Sequence, residues 1–203
     1  MQPKEFSLSS DLAAYFEAAL GEAMAVCGLS ASLGVERYLV GLLCDFARPD
    51  RPAAATVDRP LTFLLRDALA SAGGERFSRL RQLGDEVLYA LGFFGDHLAR
   101  HGADLRYVGG LGRSAYEQAA AMLRLARGGP EGPEVLTELA RSYQGCVAVL
   151  NEVADQTFAA DVHSDSAVLR VYERWRVTRS GGLAHRLGEL GVIPMPPHKR
   201  SRQ

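Results

Sequence analysis

Isoleucine, asparagine and lysine are nearly missing from this chain: Ile193, Asn151, Lys4 and Lys199 are the only ones in 203 residues. Arginine, alanine, glycine and leucine are abundant instead, the usage that GC-rich codons impose, which points to a high-GC bacterial source. The same bias removes any argument that arginine was chosen over lysine for its forked geometry. Cysteine is scarce and odd in number. Cys27, Cys44 and Cys146 are widely spaced in apolar helical patterns, which excludes a disulfide framework and a zinc knuckle and reads as buried, reduced thiols. No apolar run approaches the roughly 18 residues that span a bilayer. The opening MQPKEFSLSS lacks the basic start and apolar run of a signal peptide. Both absences lead to the expectation of a cytoplasmic protein without membrane contact.

Strand patterns are missing too. No segment alternates apolar and polar residues convincingly, and β-branched residues are few outside helical patterns. The repeating pattern has a helical period. Ser9 or Ser10 is expected to cap a first helix that Gly28 stops, and Ser32 a second that Pro49 ends. Asp58 is placed before a third helix closed by Gly73 and Gly74. Phe77, Leu80, Gly84, Val87, Leu91, Phe94 and Leu98 then recur at alternating spacings of three and four, which predicts a long central helix over about 75–101 with one continuous buried seam. Asp104 caps the next helix, and another starts near Pro133, with Gly145 as its expected break. Leu169, Tyr172 and Trp175 face inward on a later helix, and a short last one ends at Gly191. The fold expected is all-α: an irregular bundle of seven to eight helices around the central one. It forms a single domain over 1–192, followed by a basic, proline-containing, disordered tail at 193–203, with 48–58 and GGPEGP as the only places for a subdomain joint.

Glycine is plentiful where helices are expected, although each interior glycine costs a helix about 1 kcal/mol relative to alanine. Gly84, Gly92 and Gly95 on the central helix, and Gly109, Gly112, Ala115 and Ala119 on the next, are read as sites of close helix approach. GGLGRS at 109–114 has the look of a phosphate loop, but it lacks the Lys-Ser/Thr ending and a preceding strand.

Motifs that carry chemistry are few. His97 and His101 stand at i and i+4, a spacing at which two imidazoles can share a metal or flank a ligand, with Glu86 and Asp96 as carboxylates on the same helix. No Glu-x-x-His, no zincin motif, no nucleophile elbow and no facing aspartate-rich pair occurs. No catalytic residue and no cofactor is therefore assigned.

Net charge is −1 overall, but unevenly spread. Residues 1–163 hold 15 basic against 21 acidic residues, and residues 164–203 hold 8 against 3. Arg170, Arg174 and Arg176, with Arg179 a turn later, gather away from Tyr172 and Trp175, and the tail adds Lys199, Arg200 and Arg202. This basic segment is the candidate docking surface for an acidic protein partner. The acidic remainder argues against nucleic acid. The functional expectation is a non-enzymatic, self-associating interaction or regulatory module; the alternative is a small-molecule or metal binder, enzymatic or not, built around His97 and His101.

Overall fold

The structure is a computed structural model that describes residues 4–48, 61–126, 133–160, 165–178 and 181–193. Among the described residues there are nine helices and no strand: α1 (Lys4–Cys27), α2 (Leu33–Phe46), α3 (Leu61–Ala70), α4 (Gly73–Arg100), α5 (Leu105–Ala126), α6 (Pro133–Arg141), α7 (Tyr143–Ala160), α8 (Asp165–Thr178) and α9 (Gly181–Glu189). The chain is all-α, with the long central helix, α4, close to its expected limits. None of the described helices is long and apolar enough to cross a membrane.

Most helix ends lie where the sequence marks them. Ser32 Oγ accepts from the N–H of Val35 at 3.4 Å and caps α2. Asp104 Oδ1 accepts from Arg106 N at 2.9 Å and Tyr107 N at 3.2 Å, and so occupies the free amides that open α5. Gly28, Gly102 and Gly191 take φ of +64°, +82° and +76°, and the residue after each donates back to Met24, Leu98 and Leu187 at 2.8–3.0 Å. That reach-back satisfies a terminal carbonyl and needs a residue without Cβ.

Three boundaries differ from expectation, the first at Gly73 and Gly74, which open α4 and do not close α3, whose last residue is Ala70. α1 begins at Lys4, so Ser9 and Ser10 lie inside it; serine is only mildly unfavourable in a helix and does not stop one by itself. The break between α6 and α7 falls at Ser142, not at Gly145. There the Ser142 hydroxyl, at 2.7 Å, and its own N–H, at 2.8 Å, both donate to the Glu138 carbonyl, a competition that bends helices. Gly145 stays helical under Leu29, whose Cδ1 would sit 2.9 Å from an added Cβ.

Contacts divide the chain into two compact units, Met1–Asn151 and Glu152–Gln203. The division falls within α7, at neither of the joints that composition marks. In the first unit α4 supplies the core row Leu80, Leu83, Val87, Leu88 and Leu91, each at most 4% exposed. The ends of the expected seam, Phe77, Phe94 and Leu98, are only half-buried. α4 leaves helical geometry at Phe94 (φ −126°, ψ 15°), so the face presented up to Leu91 does not run straight on. Phe46 of α2 stacks on Tyr89 at 4.1 Å, and Tyr89 on Phe93 at 4.6 Å.

Glycine brings these helices together. A Cβ on Gly84 would lie 2.5 Å from Tyr116 of α5, and one on Gly92 would lie 2.5 Å from Leu150 of α7. At Gly112 it would overlap the Tyr143 hydroxyl. Gly95 departs from the expected pattern, since a Cβ there meets nothing within 4 Å.

The second unit has its own core of Val171, Trp175, Leu183 and Leu187, flanked by Tyr172, Ala184 and Leu190.

Candidate functional site

The four residues proposed as a ligand or metal set do not converge. His97 and His101 do meet, with ring centroids 4.1 Å apart. His101 Nδ1 is 2.8 Å from the His97 carbonyl, so that nitrogen donates to the last turn and the ring serves as a helix cap. Both imidazoles are exposed. Glu86 precedes His97 by three turns, roughly 16 Å along the axis; it is buried and accepts from Gln82 Nε2 at 2.7 Å. Asp96 is half-buried beside His97. Among the described residues no three His, Cys, Asp or Glu side chains are placed to hold a metal ion.

The basic segment is also rearranged. Arg174, expected on the outward face of α8, instead pairs with Asp155 of α7, whose side chain is 2% exposed while that of Arg174 is 18% exposed. A buried carboxylate needs a cation nearby more than a solvated face does, and α7 brings one within reach. Arg176 is exposed. Arg170 belongs to α8, but its side chain, together with Arg179, Lys199, Arg200 and Arg202, lies outside the described residues. Of the thiols expected to be buried, only Cys146 is; Cys44 is half-buried and Cys27 exposed. Burial raises the pKa of both Cys44 and Cys146 above the usual thiol value.

Two features had no counterpart in the sequence reading. The first is a polar knot in the core. Asp85 Oδ1 accepts from Tyr38 Oη of α2 at 2.5 Å and from Tyr116 Oη of α5 at 2.7 Å. Tyr143 packs beside Tyr116 with ring centroids 6.0 Å apart, and its hydroxyl, against Gly112, has no hydrogen-bond partner among the described residues. Burial first, then the charge of Asp85, holds both phenols well above the usual tyrosine range. The bonds of Tyr38 and Tyr116 to Asp85 tie three helices together. Nothing in the geometry gives them a substrate to act on.

The second is a cleft between α1 and α2 of about 610 Å3, floored by Leu20, Met24 and Val40 and rimmed by Glu17, Glu36 and Arg37. Its walls are fixed. The N–H of Ser32 donates to Glu138 Oε1 of α6 at 2.7 Å, Gly34 abuts Val135, and Leu29 abuts Gly145. Hydrogen bonds from the Ser32 side chain and backbone hold the Glu138 carboxyl below the usual carboxylate range. At its edge stands one large apolar residue in water, Leu33, which is 59% exposed. A preformed hollow with an apolar floor and a few polar groups at its edge is found where proteins bind other molecules. Residue spacing alone could not have located it, because it depends on how the Gly28–Ser32 turn aims α2 against α1.

No protein-family model, no curated protein and no solved structure matches the chain.

Proposed function

We propose that the protein is a non-enzymatic interaction module of the cytoplasm that self-associates through the α1–α2 cleft. The observation that carries this reading is the cleft itself, a hollow with fixed walls, exposed Leu33 at its edge and charges of both signs. A two-fold contact sets one surface against itself, so it needs a patch whose charges complement each other on rotation. Arg37 beside Glu17 and Glu36 meets that need. The outward side of α1 helps as well, because Ala14, Ala18, Gly21 and Ala25 are exposed there and let a second helix approach closely. Polar groups elsewhere also favour a binding role over chemistry. Asp85, Glu86 and Asp155 are each engaged with neighbours inside the fold. The basic C-terminal segment is a weaker docking surface than its composition implies, since Arg174 is held by Asp155.

The test is the mass of the full chain in solution by multi-angle light scattering. A dimer is expected, converted to monomer by Leu33→Glu with Arg37→Glu while the helical circular dichroism is unchanged. A wild-type chain that stays monomeric at 100 μM, roughly the range where weak interfaces saturate, overturns the proposal.

A further inference from the structure

A second hollow lies on α5, over the glycines that resembled a phosphate loop. These glycines are inside a helix, so their amides are spent on the helix ladder and cannot cradle an anion. Of the three, Gly110 alone leaves open space where a side chain would stand. A groove of about 510 Å3 is lined by Leu105, Arg106, Gly109, Gly110 and Arg113 of α5 and by Gln144 of α7. Arg106, Gly110 and Arg113 follow at i, i+4 and i+7 and so share one helix face, with the two arginines roughly 10 Å apart along the axis.

The two central glycines differ in their surroundings. Gly109 is buried, and a Cβ would sit 3.0 Å from Gln144 Nε2 and 3.5 Å from Leu91, so packing accounts for it. Gly110 is exposed, and a Cβ would meet nothing within 4 Å. No side chain therefore fills the space between Arg106 and Arg113 at Gly110.

The donors around this space are available. The side chains of Arg106 and Gln144 have no hydrogen-bond or ion-pair partner among the described residues. Arg113 faces Glu117 at 3.7 Å, beyond hydrogen-bonding distance, with both side chains more than half exposed. Asp104 occupies the first amides of α5, so the helix dipole is already answered by a carboxylate and the attraction for an anion comes from the guanidinium groups. Guanidinium forks match phosphoryl oxygens two at a time, and an amide N–H2 adds a neutral donor.

We propose that this groove binds a phosphate-bearing small molecule, with a diphosphate group bridging Arg106 and Arg113 above Gly110 and accepting a hydrogen bond from Gln144. The site is separate from the α1–α2 cleft and does not depend on self-association.

Calorimetric titration of the full chain with sodium pyrophosphate, and in parallel with inorganic phosphate, tests it. Saturable binding at 1:1 is expected, tighter for pyrophosphate. Arg106→Gln and Arg113→Gln should each weaken it about tenfold, the loss of one charge-assisted contact. Gly110→Leu should abolish it with an unchanged thermal melt, because the added side chain projects into open space. Arg66→Gln, which removes an exposed arginine of α3 outside both hollows, should change nothing. Absence of saturable binding, or an equal loss in Arg66→Gln, overturns the proposal. So does full binding retained by Arg106→Gln and Arg113→Gln, a criterion that holds whether or not Gly110→Leu folds.

Discussion

Replacing Arg174 by methionine tests whether the second unit is organised around a buried ion pair or around its apolar core alone. Methionine keeps the unbranched stem and deletes the charge. What remains is Asp155, 2% exposed and deprived of its guanidinium partner, with Glu152, itself 6% exposed, one turn before it on α7. Removing one member of a buried pair typically costs about 3–5 kcal/mol, because the charge left behind stays desolvated. A compact unit of this size has total stability of only about 5 kcal/mol, so Arg174→Met is expected to leave the second unit close to its unfolding midpoint at room temperature. Arg174→Glu adds a carboxylate and should unfold it. The assay is built into the chain: Trp175 is its only tryptophan and is 6% exposed in the core of that unit. Urea titration followed by tryptophan fluorescence therefore reports this unit selectively. Arg176→Met, at an exposed position on the same helix, is the control and should shift stability by less than about 0.5 kcal/mol. Asp155→Asn combined with Arg174→Met should recover part of the loss, since the buried charge is then gone. If Arg174→Met unfolds at the same urea concentration as Arg176→Met, the ion pair carries no stability and the argument fails.

Two further outcomes are expected. Gly92→Ala should destabilise the first unit by about 1–3 kcal/mol through overpacking against Leu150, while Gly95→Ala, with open space at its Cβ, should stabilise it by up to about 1 kcal/mol; thermal melts that rank the two the other way would refute the packing assignment. Glu138 has a lowered pKa in the folded chain, so its bond to Ser32 stabilises the fold above the ordinary value of 4.5 and is lost as pH falls through the lower folded value. The difference in melting temperature between wild type and Glu138→Gln should accordingly be present at pH 7 and shrink towards pH 3.

Local signals and long-range ones were not equally legible in the sequence. The central helix was readable because Leu80, Val87 and Leu91 repeat with the helical period, and burial follows period. Caps at Ser32, Asp104 and Gly28 were readable because a cap is chemistry within four residues. The close approach at Gly92 was anticipated, but its partner, Leu150, lies 58 positions away, and no spacing rule names it. Arg174 was misplaced for a related reason: on a helical wheel it lies opposite Tyr172 and Trp175, and only the course of α7 puts Asp155 there. The Asp85 knot is not legible in the sequence because tyrosine in an apolar stripe counts as hydrophobic, whereas its hydroxyl needs an acceptor that can come from any helix. Neither hollow was foreseen, although the exposed Gly110 between Arg106 and Arg113 was a legible hint of the second.

The glycine contacts have a consequence for descent. At Gly84, Gly92 and Gly112 even a methyl group has no room, so selection on these positions is all-or-none, while the apolar residues around them can exchange among leucine, valine and methionine at small cost. Tyr116 and Tyr143 are the shapes that fill the gaps at Gly84 and Gly112, so they should be inherited together with those glycines. A distant cousin of this chain would then show little overall identity, yet carry glycines eight residues apart on one helix, a third glycine on the next, and two tyrosines facing them. Drift would erase almost everything else first.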